Sequence, residues 1–234
     1  MPIGEPISSF PKLHAPFERS GPIGEKRLTQ EVNSGYEWVF DEATDVLAVE
    51  KLDGENVAVE FDESFTPTSI HRRDGARGDP SKNGYDMAEV PLWDEDESHY
   101  TEGIANAFGR GWIDYIESPG LAWGELVGPR LQGNRYDLDK HYWVPFAYAR
   151  ERLVYESYGE YPTGYDALRD WFLEQELNPL FYRKMNGGIP FDQAKAESST
   201  EGIIFTHPEP DRITGPRMAK LKPTMFPEYH TEDG

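Results

Sequence analysis

Short runs of alternating apolar and polar residues, separated by turn residues, constrain the fold of this chain more than any other feature. Two such runs lie in 45–61, on either side of the dipeptide Asp53-Gly54. A strand, an Asp-Gly turn and a second strand are typical of a β-hairpin. We therefore expect a hairpin over 45–61, with Lys51 at the end of its first strand.

The rest of the chain predicts more strands than helices. Four further strands are expected, at 121–127, 142–148, 201–206 and 217–222. The best helical pattern is 163–177, where Thr163 is a candidate cap and Leu168, Trp171 and Phe172 would form one apolar stripe. Strands that pair out of sequence order, with a few helices, indicate an α+β fold.

The composition is that of a folded protein outside the membrane. Of its 234 residues 37% are hydrophobic and 13% aromatic, which argues against disorder. No apolar run approaches the roughly 18 residues of a membrane helix, and the first residues lack the pattern of a signal peptide. The chain has no cysteine, which excludes a disulfide-linked partner and thiolate catalysis. We expect a cytoplasmic protein.

The charge balance is strongly acidic. There are 43 Asp and Glu residues against 23 Lys and Arg, a net charge of −20. Acidic residues spread along the whole chain favour a salt-rich (halophilic) cytoplasm, because molar salt shortens the Debye length to about 3 Å. The alternative is an acidic protein without that adaptation. An enzyme of nucleic acids with this charge would need a locally basic groove. The candidates are His71-Arg72-Arg73 with Arg77, Arg130 with Arg135, and Arg217 with Lys220 and Lys222.

Charged residues stand on the predicted strands where the alternation calls for apolar ones. They are Lys51, Glu125, Glu201, Lys220 and Lys222. A charge is costly to bury unless it is paired or used. Each of them alone would be interpreted as solvent-facing, but several on separate strands indicate a lined cleft.

Around these charges the sequence resembles the covalent nucleotidyltransferases, the superfamily of DNA ligases, RNA ligases and mRNA capping enzymes. The resembling segments are 50–56 (motif I, KxDG), 72–75 (the arginine-glycine motif), 123–129 (motif III), Phe146 (motif IIIa), 201–204 (motif IV) and 220–222 (motif V). They occur in the order of the family. Within it, 125–134 and 201–207 are most similar to RNA ligases, in particular to the 5′-3′ RNA ligase family that includes the vertebrate enzyme.

The resemblance implies an α+β nucleotidyltransferase domain, related to the ATP-grasp fold, of antiparallel sheets flanked by helices. We expect one such domain over 1–234, with a loop-rich insertion at 79–118 and a short tail at 223–234. Only 12 residues follow Lys222. We therefore expect no C-terminal OB-fold, the domain that DNA ligases and capping enzymes of this superfamily carry.

The resemblance also implies an ATP-dependent RNA ligase that forms a lysyl-AMP intermediate on Lys51, uses Mg²⁺ or Mn²⁺, and joins RNA ends. The implied ATP-binding set is Glu50, Asp53, Gly54, Arg73, Glu125, Phe146, Glu201, Lys220 and Lys222. The implied roles are adenine contact for Glu50, phosphate binding for Arg73, ribose binding for Glu125, adenine stacking for Phe146, metal placement for Glu201, and contact with the ATP phosphates for Lys220 and Lys222. A lysine must lose its proton to act as a nucleophile, which neighbouring positive charge favours.

Plainer interpretations stay open beside these. Asp53-Gly54 would serve as a hairpin turn in either case, Phe146 would suit the core, and Arg72 could replace Arg73 because the two alternate faces. Among functions, the alternatives are a DNA ligase, a capping-type guanylyltransferase, a protein that transfers AMP to other proteins, or a catalytically inactive module that binds RNA ends.

Overall fold

The computed structural model describes residues 13–22, 25–41, 44–73, 87–91, 95–155, 164–173, 177, 179–209 and 217–230. Contacts within the chain divide them into two compact units. Unit 1 comprises described residues of 53–152, and unit 2 comprises those of 13–52 and 153–230. The chain therefore passes from one unit to the other after Leu52 and again after Arg152.

The described residues form ten strands and five α-helices. The strands are β1 (Phe17–Ser20), β2 (Arg27–Val32), β3 (Leu47–Glu50), β4 (Glu55–Phe61), β5 (Pro67–Arg73), β6 (Met87–Glu89), β7 (Gly120–Val127), β8 (Tyr142–Pro145), β9 (Ile203–Thr206) and β10 (Met218–Leu221). The helices are α1 (Ser98–Gly109), α2 (Phe146–Arg152), α3 (Tyr165–Leu173), α4 (Leu180–Met185) and α5 (Phe191–Glu197). Short 3-10 helices occupy Glu37–Phe40, Glu95–Glu97, Trp112–Tyr115, Pro223–Met225 and Pro227–His230.

Unit 1 is built on a five-stranded antiparallel sheet in the order β6-β5-β4-β7-β8. One face of its central strand β4 carries Val57, Val59 and Phe61, which are all buried. Helix α1 packs on the sheet with Tyr100 and Ile104 buried. Because side chains alternate along a strand, the residues between these apolar positions lie on the opposite face.

Unit 2 contains a three-stranded antiparallel sheet in the order β10-β9-β3 and a separate antiparallel pair, β1-β2. Its core combines Ile203 and Phe205 of β9 with Leu168, Trp171 and Phe172 of α3, all of them buried. The stripe expected on the helix is therefore confirmed, while its candidate cap Thr163 lies outside the described residues. Met225 and Phe226, in the segment expected to be a short tail, also belong to this core.

The predicted α+β class of antiparallel sheets flanked by helices is confirmed, because every pair among the described strands is antiparallel. The strand predicted at 121–127 is β7. Segment 79–118, expected to be loop-rich, includes β6 and the 12-residue helix α1, and its first residues up to 86 are not described. No helix in the described ranges is long and apolar enough to span a bilayer.

The predicted hairpin over 45–61 is wrong. Strand β3 pairs with β9, whereas β4 pairs with β5 and β7. Gly54 does not take the left-handed backbone conformation that an Asp-Gly hairpin turn requires. A glycine is required at position 54 for another reason, because a Cβ added there would lie 2.2 Å from the Leu126 carbonyl oxygen.

The strand predicted over 142–148 is also too long. Strand β8 ends at Pro145, and helix α2 begins at Phe146. Proline has no N–H group to continue a strand ladder, and its fixed φ suits a helix start. Phe146 is therefore the first residue of a helix, where it is half-buried.

Candidate functional site

One end of the three-stranded sheet in unit 2 gathers three of the predicted site residues. Because β9 runs antiparallel to both neighbours, the ends of β3 and β10 lie beside its start, with Glu50 and Leu221 both opposite Ile203. Lys51 follows β3, Lys222 follows β10 and Glu201 precedes β9. These three charged residues therefore lie just beyond the strand ends, whereas the sequence alternation had predicted them within strands.

Glu201 forms ion pairs with both lysines. Its Oε2 accepts a hydrogen bond from the Lys51 ammonium, and its Oε1 is ion-paired with the Lys222 ammonium. The Glu201 side chain is 9% exposed, and those of Lys51 and Lys222 are 19% and 29% exposed. Lys51 Nζ also donates to the Leu52 carbonyl oxygen over 3.2 Å. We call these three residues the Lys-Glu-Lys triad.

The backbone around Gly202 allows the triad to form. The Lys51 N–H donates to the Gly202 carbonyl oxygen over 2.8 Å, which fixes the nucleophile candidate beside the start of β9. A Cβ at Gly202 would lie 2.1 Å from the Leu221 carbonyl oxygen, and its φ is +157°. Only glycine lets the two backbone segments, at Gly202 and Leu221, approach this closely beside the Glu201–Lys222 contact.

Glu50 points away from the triad into the interior of unit 2. It is 2% exposed, and its Oε2 accepts a 2.7 Å hydrogen bond from the Phe181 N–H in the first turn of α4. The carboxylate satisfies one of the N–H groups that a helix start leaves without an intrahelical partner. Its predicted contact with adenine stays a prediction.

Lys220, the remaining predicted residue of unit 2, lies on β10 opposite Ile204. Its backbone N–H donates to the His14 carbonyl oxygen over 2.9 Å, and the residue is half-buried. The predicted contact of its side chain with the ATP phosphates also stays a prediction.

The other predicted residues belong to unit 1. Asp53 is held twice: its Oδ2 accepts from Arg135 Nε over 2.7 Å, and its N–H donates to the Tyr136 hydroxyl over 2.8 Å. Gly54, next in the chain, packs against Leu126 and Val127 of β7. The KxDG segment thus has its lysine in one unit and its aspartate in the other.

The register of the five-stranded sheet separates Arg72 from Arg73. Val57 lies opposite both Arg72 and Gly124, so Arg72 lies on the buried face of Val57. There its Nη1 lies 3.3 Å from a Glu97 carboxylate oxygen. Arg73 and Glu125 consequently share the opposite face of the sheet. The neighbours Asp74 and Gly75 of the same motif lie outside the described residues.

A polar cluster that the sequence did not reveal lies beside this motif. The Tyr100 hydroxyl donates to Glu55 Oε2 over 2.7 Å and also bonds Arg72. Burial raises the pKa of Glu55, against the lowering effects of the Tyr100 hydrogen bond and Arg72. Burial and the Glu55 hydrogen bond raise the pKa of Tyr100. The sequence did contain an indication of this cluster, because Glu55 falls on the strand face of Val57, where an apolar residue is expected. Its hydrogen-bond partner Tyr100, however, lies 45 residues away in the sequence.

Comparison with known proteins gives structural likenesses only. No family model and no curated protein matches the chain. Among solved structures, it is similar to a variant of the Naegleria gruberi RNA ligase with ATP and Mn, at 15% identity, a TM-score of 0.45, and coverage of 97% of this chain and 64% of that one. The same ligase with PPi gives 12% identity, a TM-score of 0.43 and coverage of 98% and 61%. The chain thus spans less than two thirds of the ligase chains that it matches.

Proposed function

We propose that this protein is an ATP-dependent RNA ligase that forms a lysyl-AMP intermediate on Lys51 and joins RNA 3′-OH and 5′-phosphate ends. The observation that carries the proposal is the Lys-Glu-Lys triad. It brings an amine, a carboxylate and a second cation to one sheet end, and all three belong to segments in which the sequence resembles nucleotidyltransferases. The similar Naegleria enzyme is itself an RNA ligase with ATP and Mn.

The proposed ligation reaction has three steps. The Lys51 nitrogen attacks the α-phosphorus of ATP; a P–N bond forms, the bond to pyrophosphate breaks, and the amine loses its proton. The 5′-phosphate of RNA then attacks the same phosphorus, and the P–N bond breaks as the amine regains a proton. Finally the RNA 3′-hydroxyl attacks the activated 5′-phosphate, losing its proton, and AMP leaves.

The triad supplies groups that this chemistry needs. While Lys51 donates to Glu201 as an ammonium, its electron pair is not available for attack. Lys222 places positive charge beside it, which suits the phosphate oxygens on which negative charge develops. We infer that ATP draws Lys222 toward its phosphates, so that the two lysines no longer share one carboxylate.

The proposal includes Mg²⁺ or Mn²⁺ as cofactor. Within the described ranges no three acidic or histidine side chains converge to hold a metal. Magnesium commonly binds through one or two carboxylates together with substrate phosphates and water, so the single carboxylate of Glu201 fits such a cation. When bound, the cation would neutralise charge on the phosphates. Glu201 would hold it, and its release of Lys51 would accompany that binding.

Residues of unit 1 have proposed roles in the same reaction. Arg73 would bind phosphate through its fork-shaped guanidinium, and Glu125 on the same sheet face would hold the ribose hydroxyls. Phe146 would stack on adenine. Its place at the start of α2 leaves the ring half-buried, so the core role stays the alternative.

The test is covalent labelling. The protein is incubated with α-labelled ATP and Mg²⁺, in low and in molar KCl, and is then resolved on a denaturing gel beside Lys51→Met. Lys195→Met, a lysine change on α5 of the same unit, is the matched control. We expect label in wild type and control and none in Lys51→Met. Label that persists in Lys51→Met would refute the assignment of the nucleophile.

The substrates separate the alternatives. Labelling by GTP alone would point to capping, and sealing of nicked DNA in preference to RNA ends would point to a DNA ligase. Absence of label in every condition would leave an RNA-end-binding module, and transfer of label to protein in place of RNA would indicate protein modification. The comparison of low with molar KCl tests the halophilic interpretation, because a protein equally stable and active at low ionic strength would refute it.

A further inference from the structure

The loop between β7 and β8 in unit 1 is held by its own hydrogen bonds. Its backbone closes through hydrogen bonds from Leu131 N–H to the Gly128 oxygen and from Asn134 N–H to the Leu131 oxygen. The Asn134 side chain bonds both the N–H and the carbonyl of Leu138. Gln132, Asn134 and Asp137 take the left-handed conformation, with φ of 44°, 53° and 49°. Such conformations persist where surrounding bonds over-determine them.

The loop directs two consecutive residues onto Asp53. Arg135 Nε reaches the Asp53 carboxylate over 2.7 Å, and the hydroxyl of Tyr136, which is 1% exposed, accepts from the Asp53 N–H over 2.8 Å. One contact fixes the carboxylate, and the other fixes the peptide plane that joins Leu52 to Asp53. Together they fix the chain two residues after Lys51.

The ion pair between Arg135 and Asp53 is partly open to solvent. The Arg135 side chain is 30% exposed and that of Asp53 is 16% exposed, so solvent screening reduces what the pair contributes to stability. The geometry nevertheless determines the orientation of the KxDG aspartate. The loop thus presents two oriented contacts to Asp53, and these are suited to placing that residue.

We propose that Arg135 and Tyr136 are positioning residues, which hold Asp53 and the backbone after Lys51 in the conformation needed for adenylation. This rests on the proposed function. Displacement of a reacting group by about 1 Å can cost roughly 100-fold in rate, so loss of either contact affects the chemical step. Arg135 acts through Asp53, and Tyr136 acts through the Asp53 peptide.

The kinetic test measures single-turnover formation of the lysyl-AMP adduct. We expect Arg135→Ala to lower the rate at saturating ATP by about 10- to 100-fold, with a much smaller change in KM. Arg135→Lys keeps the charge without the planar guanidinium, so it restores only part of the rate. Arg150→Ala, an exposed arginine of the same unit, serves as the control and leaves the rate unchanged.

A double variant tests the route of the effect. If Arg135 acts through Asp53, then Asp53→Asn with Arg135→Ala is no slower than Asp53→Asn alone, within about twofold. Losses that multiply would overturn the proposal, as would a loss in Arg135→Ala that falls entirely on KM.

Amide hydrogen exchange tests the proposal without activity. The Asp53 amide is bonded to Tyr136, so Tyr136→Phe should speed its exchange by about tenfold, while Arg150→Ala should not. Unchanged exchange in Tyr136→Phe would refute the positioning role even if the enzyme is a ligase. Faster exchange in a protein that never forms an adduct would instead refute the proposed function, while the contact that holds the Asp53 backbone would be supported.

Discussion

Replacement of Glu201 by glutamine tests the Lys-Glu-Lys triad most directly. The carboxylate is ion-paired with two ammonium groups, and all three side chains are less than a third exposed. Glutamine keeps one acceptor oxygen but turns an NH₂ group toward the second lysine, so at least one charge-assisted hydrogen bond is lost and the negative charge disappears. With such bonds at about 1.5–3 kcal/mol each, we expect the free energy of unfolding to fall by about 2–4 kcal/mol. In a chain of this length that corresponds to a melting temperature lower by about 5–15 °C.

The measurement is urea unfolding followed by two probes, fluorescence and far-UV circular dichroism, since two compact units need not unfold together. Glu197→Gln is the matched control, because this exposed carboxylate of α5 accepts a neutral hydrogen bond from Tyr182. The energetic coupling is tested by repeating Glu201→Gln in a Lys51→Met, Lys222→Met background, where it should cost little. If Glu201→Gln lies within about 0.5 kcal/mol of both wild type and Glu197→Gln, the triad is not an energetic unit and the reasoning fails.

Three further results are expected. Gly54→Ala places a Cβ 2.2 Å from the Leu126 oxygen and should destabilise unit 1 by about 2–3 kcal/mol or more in thermal unfolding; an unchanged melting temperature would contradict the close approach. Glu55 has a pKa raised by burial, so the folded state binds its proton more tightly than the unfolded state does. The free energy of unfolding should therefore fall as pH rises from the ordinary 4.5 through the raised pKa, and Glu55→Gln should flatten that part of the stability–pH curve. His99 has a pKa lowered first by burial and then by His141; stability should fall as pH drops through its ordinary 6.5, and a His99→Gln variant with undiminished acid sensitivity would show that another group is responsible.

Local patterns predicted single elements well. The apolar stripe of α3 and the alternation of β7 depend on near neighbours in sequence, so periodicity was sufficient to find them. The hairpin failed because Asp53-Gly54 has two physical explanations, a turn or a close approach, and periodicity does not distinguish them. The end of β8 at Pro145 was missed because the apolar run continues into α2.

The candidate site was predictable only where motifs carried information over long distances. The residues of the Lys-Glu-Lys triad were named from motifs I, IV and V, although their arrangement around one carboxylate follows from the register of β9 with β3 and β10. Arg135 and Tyr136 were not assigned to Asp53 because their contacts span 82 and 83 residues. Such contacts have no local signature in a single sequence.

The pairing of β3 with β9 determines when in synthesis the candidate nucleophile acquires its surroundings. Residues 53–152 are continuous in the chain, so the strands of unit 1 are all present once this segment has been made, whereas β3 needs a partner strand about 150 residues later. Until β9 and β10 are made, Lys51 has neither Glu201 nor Lys222 beside it. A nascent or truncated chain that ends before Glu201 would therefore lack the triad, and under the proposed function it would not form the adduct on Lys51.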